Sequence, residues 1–221
     1  MLVKKSAGKK QERQHRRLVL LIILFMAAAS SLAAGLLAHT PTQSRAQEFS
    51  TQPLPLGQSG NWQLVFSDEF DGTALDSSKW VTCFPWGTQA GCGSTTTPDL
   101  WYLPQNVVVS SGTAKLRALN QQVTGTDGKT YSYASGIITT SKFYNEPGSY
   151  KFLLQNGDVE GRAKVPQGRG LWPAIWLLPP EGKWPPEIDV MEILGHETNV
   201  AHMHYHYSDG TGTHRDDGSS W

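Results

Sequence analysis

The stretch that decides the fold reads Trp184-Pro185-Pro186-Glu187-Ile188-Asp189-Val190-Met191-Glu192-Ile193-Leu194-Gly195. Its three carboxylates alternate with apolar side chains, in a run rich enough in β-branched residues to be a strand. Side chains in a strand change face at every residue, so Glu187 and Asp189 share one face while Ile188 and Val190 point into a core. Plain alternation would bury Glu192, which is costly for an unpaired carboxylate. We therefore expect one extra residue at Val190-Met191, a β-bulge that returns Glu192 to the carboxylate face.

Three acids on one surface have more than one possible use. Along a strand that rises about 3.3 Å per residue, the outer Cα atoms would lie about 13 Å apart, a gap that two Glu side chains can largely close. Carboxyl groups about 5–5.5 Å apart suit a retaining glycosidase, in which one attacks the sugar and the other moves a proton. Crowding of like charges raises at least one pKa, which keeps an acid protonated near neutral pH. A solvated acidic strand face or a calcium site explains the three acids alone equally well.

Further segments carry a resemblance to a known family. They are residues 66–72, Lys79-Trp80, Asn106-Val107, residues 159–166 and residues 170–179. Together with the acids they resemble glycoside hydrolase family 16, the laminarinase and lichenase group. That family's signature is Glu, any, Asp, any, optional any, Glu, and residues 187–192 match its longer form. The match runs in family order from about Trp62 to the last residue.

The resemblance implies roles for the acids and a fold. Glu187 would be the nucleophile, Glu192 the acid/base and Asp189 the assisting residue. The fold would be all-β, an antiparallel β-sandwich of jelly-roll type (concanavalin A-like). We expect it to be incomplete at its C-terminal end, because the family normally continues past the strand that holds His206-Tyr207.

The implied activity is that of a retaining, endo-acting glycoside hydrolase cleaving β-1,3- or mixed β-1,3/1,4-glucan. A transglycosylase would use the same acids, and a non-catalytic carbohydrate-binding protein on this fold is the main alternative. No cofactor is required, although some relatives hold a structural calcium through residues near Glu69 and Gly112. The expected partner is a polysaccharide, and we expect a monomer.

Aromatic and polar residues near the acids are candidate substrate contacts. Trp172 and Trp176 share a strand face, and with Trp184 they could stack on sugar rings, although burial in a core is the common fate of tryptophan. The resemblance adds His206 and Asn106 as cleft residues. Three histidines alternate in Ala201-His202-Met203-His204-Tyr205-His206-Tyr207, a spacing that invites a zinc interpretation. We expect no metal there, and the resemblance leaves His202 and His204 without a role.

The composition supports a β-rich exported protein. The 221 residues include 22 Gly, 13 Pro and 8 Trp, and the 19 basic residues balance the 19 acidic ones. This balance offers no case for nucleic acid as a partner. Seven Lys and Arg precede an uncharged run over residues 18–38, a pattern typical of an export signal. Cleavage after Ala46 would give a secreted or extracytoplasmic protein, whereas residues 18–38 are also long enough to anchor the chain in a membrane.

The chain thus divides into a basic and apolar leader over residues 1–46, a Pro- and Gly-containing linker over residues 47–60, and a hydrolase domain over residues 61–221. Cys83 and Cys92 are the only cysteines, and in an exported protein we expect a disulfide between them. Turn residues separate the predicted strands, which cover residues 62–66, 106–109, 114–118, 136–140, 150–154, 158–165, 171–178, 187–194 and 200–207.

Overall fold

A computed structural model describes residues 2–6, 54–82, 84, 99–142 and 149–221. The described residues form strands and one short 3₁₀ turn, Pro104–Asn106, with no α-helix among them. The strands are Leu2–Ser6 (β1), Trp62–Ser67 (β2), Leu100–Tyr102 (β3), Val107–Val109 (β4), Ala114–Leu116 (β5), Val123–Thr124 (β6), Thr130–Tyr131 (β7), Tyr133–Ser135 (β8), Asp158–Glu160 (β9), Ala174–Leu177 (β10), Glu187–Glu192 (β11), His202–Ser208 (β12) and His214–Ser220 (β13). The all-β prediction is therefore confirmed.

Two sheets organise the molecule. The larger has the order β10-β11-β12-β13 with every neighbour antiparallel, so short connections join strands that are adjacent in sequence. The smaller has the order β2-β1-β9. Three further strand pairs complete the pattern, and one of them, β3 with β8, is parallel.

Aromatic side chains fill the core beside the smaller sheet. Phe66 of β2 meets the edge of the Trp80 ring at a centroid distance of 5.3 Å and packs on Phe152 at 4.7 Å. The indole nitrogen of Trp80 donates to Asp68 at 2.8 Å, so the one polar atom of that ring is satisfied. Asp76 accepts hydrogen bonds from Ser78 and closes the turn that leads into Trp80.

The N-terminal strand β1 lies inside this sheet, between β2 and β9. Val3 and Lys4 are each 1% exposed, and Nζ of Lys4 lies 3.3 Å from a carboxylate oxygen of Glu160. These residues belong to the leader expected from the sequence, yet they make contacts that an export signal does not need. Residues 7–53 of the leader and linker lie outside the described residues, as do Cys83 and Cys92. Within the described part of the chain, no helix is long and apolar enough to cross a membrane.

Two predicted strands are wrong. Residues 136–140 and 150–154 contribute only single bridges, Thr139 with Val81 and Tyr150 with Ser141. Their side chains favour extended backbone, but a ladder also needs an extended partner, and that partner is set by distant parts of the chain. The strand predicted over residues 158–165 is shorter than expected for the same reason, because its ladder with β1 ends at Glu160.

The face of the larger sheet opposite the acids is more exposed than the sequence predicts. Ile188, expected to point into a core, is 45% exposed, and so is its cross-strand neighbour Tyr205. The carboxylate face contains the more buried side chain, since Asp189 is only 5% exposed.

Candidate active site

The β-bulge in β11 aligns the three acids, as predicted. On one side, Trp176 of β10 pairs with Asp189 while Ile175 pairs with Met191, so Val190 is the extra residue. On the other side, Asp189 pairs with His204 and Glu192 with His202, and the register shifts between them. A bulge sets two residues against one and restores the alternation afterwards. Glu192 therefore returns to the face of Glu187 and Asp189.

Each acid stands opposite one of the three alternating histidines of β12. Glu187 pairs with His206, Asp189 with His204 and Glu192 with His202. Directly opposed residues of an antiparallel pair project from the same face. The alternating histidines of β12 therefore lie beside the acids of β11 on the same face of the sheet. This pairing gives a position to His202 and His204, for which the resemblance implied no role.

Asp189 forms the centre of the acid row. Its carboxylate lies 3.2 Å from Nε2 of His206. Burial and then the negative charge of Glu192 raise the pKa of Asp189, while His206 opposes that rise. A proton is consequently retained here to higher pH than an isolated aspartate would hold it.

Glu187 receives a hydrogen bond from the indole nitrogen of Trp184. Burial raises the pKa of Glu187, the bond from Trp184 works against that rise, and the charge of Asp189 adds to it. The ionisation of Glu187 is therefore set by two neighbours that act in opposite directions.

Glu192 lies at the far end of the row. Its carboxylate is 4.0 Å from Nε2 of His204, and its side chain is 16% exposed. The other ring nitrogen of His204, Nδ1, donates a hydrogen bond to Asp216 of β13 at 3.0 Å. This bond raises the pKa of His204 and lowers that of Asp216. The Glu192 side chain is thus largely covered and faces an imidazole.

The sequence profile of glycosyl hydrolases family 16 matches residues 107–221, just over half of the chain. The chain belongs to glycosyl hydrolases family 16. Over 159 residues it is 30% identical to the endo-1,3-1,4-beta-glycanase ExsH of Rhizobium meliloti, covering 72% of this chain and 31% of ExsH. Over 100 residues it is 37% identical to the beta-1,3-glucan-binding protein of Penaeus monodon, covering 40% of this chain and 27% of that protein.

A solved structure of the same family gives the fold. The laminarinase catalytic domain of Thermotoga maritima superposes with a TM-score of 0.58 at 34% identity, covering 73% of this chain and 62% of that domain. The jelly-roll sandwich predicted for this family 16 chain is therefore confirmed. The chain spans less than a third of ExsH and of the glucan-binding protein.

Two of the three tryptophans predicted from the sequence, Trp176 and Trp184, contact or pair with the acids. Trp176 pairs with Asp189 and packs on Phe84 at 5.7 Å. Trp172 precedes β10 and is 65% exposed. Trp184 is 54% exposed and packs on His214 at a ring-centroid distance of 4.6 Å, in addition to its bond with Glu187. Burial in a core, the alternative for each ring, does not hold for Trp172 or Trp184.

Asn106 is placed differently from these residues. It ends the 3₁₀ turn before β4 and is 2% exposed. Its backbone carbonyl accepts a hydrogen bond from the backbone N–H of Arg117. The nitrogen of its side-chain amide, Nδ2, is buried with no hydrogen-bond partner among the described residues. Those contacts give it a structural setting, and its predicted role in sugar binding stays a prediction.

The residues that the resemblance implies for calcium meet in the fold. A Cβ on Gly112 would lie 3.7 Å from a carboxylate oxygen of Asp71 and 3.9 Å from the carbonyl oxygen of Glu69. Carboxylate and carbonyl oxygens are the ligands that calcium prefers. Oxygen atoms of this kind lie close together here, and calcium binding stays a prediction.

His214 and Asp216 of β13 are site residues that the sequence analysis missed. Nε2 of His214 lies 3.1 Å from Nδ1 of His206, and Asp216 contacts both His204 and His206. Their spacing could have indicated a shared role, because residues two apart on a strand lie on the same face of the sheet.

Proposed function

We propose that this chain is a retaining, endo-acting glycoside hydrolase of β-1,3- or mixed β-1,3/1,4-glucan. The observation that carries the proposal is the register of β11, which aligns Glu187, Asp189 and Glu192 on one face. Family membership supports the reaction class, and the names of ExsH and of the Thermotoga maritima laminarinase support the glucan substrate.

In the proposed reaction, Glu187 attacks the anomeric carbon while Glu192 gives its proton to the glycosidic oxygen, which leaves as a hydroxyl. Water then loses a proton to Glu192 and attacks the same carbon, releasing Glu187 with retained configuration. Asp189 holds a proton or hydrogen bond beside Glu187, and His206 fixes the position of Asp189. No cofactor takes part in these steps.

The test is hydrolysis of laminarin and mixed-linkage glucan, with sizing of the products and NMR of the newly formed anomeric centre. We expect mid-sized oligosaccharides with retained configuration. Glu187→Gln should abolish turnover, and Glu192→Gln should lower it by about 10²–10⁴-fold. Glu197→Gln, an exposed glutamate beyond β11, is the matched control and should match the parent. Turnover by Glu187→Gln comparable to that control would contradict the assignment.

A non-catalytic carbohydrate-binding protein is the second candidate, favoured by the similarity to a beta-1,3-glucan-binding protein. It predicts binding of laminarin without release of reducing ends. Affinity electrophoresis and a reducing-end assay on the same samples separate the two candidates.

Export and calcium binding complete the proposal. The basic and apolar leader supports a secreted or extracytoplasmic location, and N-terminal sequencing of exported protein would identify cleavage after Ala46. Glu69, Asp71 and Gly112 would hold a structural calcium that supplies no catalytic chemistry. Calcium should then raise the thermal midpoint of the parent and do so less for Asp71→Asn, whereas an equal rise in both would contradict the site.

A further inference from the structure

Four side chains converge where β12 and β13 pair beside the acids, and we name them the histidine cluster. They are His204 and His206 of β12 with His214 and Asp216 of β13. Nδ1 of His204 lies 3.0 Å from a carboxylate oxygen of Asp216, and Nδ1 of His206 lies 3.7 Å from the same oxygen. Nδ1 of His206 is also 3.1 Å from Nε2 of His214.

These separations match the edges of a small coordination polyhedron. A tetrahedral zinc ion with ligand bonds of about 2.0–2.1 Å separates its ligand atoms by about 3.3 Å. The ligand atoms of His204, His206 and Asp216 all lie within 4.8 Å of one another. The rings of His204 and His206 are stacked, with an angle of 8° between their planes. Both Nδ1 atoms face the same carboxylate oxygen of Asp216.

We infer that the histidine cluster is a binding site for a zinc-class divalent ion. His204 and His206 would bind it through Nδ1, His214 through Nε2 and Asp216 through its carboxylate. Three imidazoles and one carboxylate are ligands typical of zinc, whereas calcium and magnesium take oxygen ligands. The ion replaces the protons that now lie between these atoms, as metals do at nitrogen ligands.

The opposite ring nitrogens both face carboxylates of the acid row, that of His206 closely and that of His204 at a longer distance. A metal-bound histidine commonly donates its second N–H to a carboxylate, which fixes the ring. Nε2 of His206 lies 3.2 Å from Asp189, and Nε2 of His204 lies 4.0 Å from Glu192. An ion in the cluster would thus be joined to two of the three acids through a single imidazole each.

The backbone of β13 leaves room for this arrangement. Gly218 stands opposite His204, and a Cβ there would lie 2.8 Å from Nδ1 of that ring. Such a distance is too short for a side chain to occupy without moving the imidazole. The absence of a side chain at Gly218 therefore keeps the ligand nitrogen of His204 in place.

Metal binding to the full chain, stripped with a chelator and free of polysaccharide, tests the inference. Zinc titrated in a calorimeter should bind with one equivalent in this cluster, and cobalt should give the visible absorption of a tetrahedral site. Asp216→Asn and His214→Gln should each weaken zinc binding by more than about tenfold. Both positions are exposed on β13, so these variants should keep the circular dichroism of the parent.

Two further histidines supply the controls. His202→Gln removes the third alternating histidine of β12, and His196→Asn removes an exposed histidine beyond β11. Both variants should bind zinc like the parent. Unchanged binding in Asp216→Asn and His214→Gln, or an equal loss in His196→Asn, would overturn the inference. Because no glucan is present, this result is independent of whether the chain hydrolyses glucan.

Discussion

Trp184 and Asp189 act on the pKa of Glu187 in opposite directions, which makes the ionisation of the proposed nucleophile testable residue by residue. Glu187 must be charged to attack, so kcat/KM should fall as the pH drops through its pKa. Burial raises that pKa, the hydrogen bond from Trp184 lowers it, and the charge of Asp189 raises it. Trp184→Phe should therefore move the acidic limb of the pH profile to higher pH, and Asp189→Asn should move it to lower pH.

The measurement is kcat/KM on laminarin across the acidic range in which each variant remains folded. Both variants should be slower than the parent, so the position of the limb, and not the rate, is the readout. A shift of both limbs in the same direction would show that neither neighbour controls Glu187 as described.

Trp172 tests whether exposed aromatic rings bind the sugar chain. It is 65% exposed, so Trp172→Ala should change the free energy of unfolding by less than about 0.5 kcal/mol. Loss of the flat ring should raise KM by about three- to tenfold with little change in kcat, since the contact is with bound substrate throughout. Trp172→Phe should recover most of the affinity. An unchanged KM in the alanine variant would remove this ring from the binding surface.

The acid row shows what a sequence can predict about single residues. The bulge at Val190 followed from the cost of burying Glu192, a local argument that needs only strand periodicity. His214 and Asp216 were missed because their role depends on pairing with β12, which sequence periodicity alone does not specify. Ile188 was misassigned to a core because alternation distinguishes two faces without saying which one is covered.

At the scale of elements, the connection before β10 is fixed against the end of β11 by Gly195. Its N–H donates to Leu171 at 2.8 Å, and a Cβ there would lie 2.2 Å from the carbonyl oxygen of Gly168. Gly195→Ala should therefore lower the free energy of unfolding by about 1–3 kcal/mol. It should also lower kcat/KM, because the displaced segment carries Trp172.

Chemical denaturation and glucan hydrolysis of the same preparation measure both effects. Gly72→Ala is the matched control, since its added Cβ would meet its nearest neighbour, a backbone oxygen of Ala74, at an ordinary 3.6 Å. Equal stability of the two variants would contradict the close approach at Gly195.

Strands with strong alternation were predictable, and strands that depend on partners were not. β2, β4 and β11 follow from apolar and β-branched runs bounded by turns, and β12 from histidines that alternate with Met and Tyr. Residues 136–140 and 150–154 have similar composition yet form only bridges, because their neighbours in space come from loops and single residues. Pairing between distant segments is a property of the whole chain.

At the scale of the whole molecule, the first residues of the chain have two incompatible uses. As part of an export signal, residues 2–6 would be removed with the leader or held at the membrane. As β1, they complete the sheet between β2 and β9, with Val3 packed against Phe66 and Trp80. Cleavage after Ala46 would leave both neighbouring strands with an unpaired edge, a state that proteins normally avoid.

Val3→Asp in the full chain decides whether β1 contributes to stability. Val3 is 1% exposed, and an aspartate there would bury an unpaired charge, so β1 should leave the sheet. The free energy of unfolding should fall by about 1.5–3 kcal/mol, the worth of burying one aliphatic side chain. Leu56→Asp, at a position that is 90% exposed, is the control and should match the parent. If Val3→Asp also matches the parent in denaturant unfolding, β1 adds nothing to the folded domain, and residues 2–6 are free to serve as part of the leader.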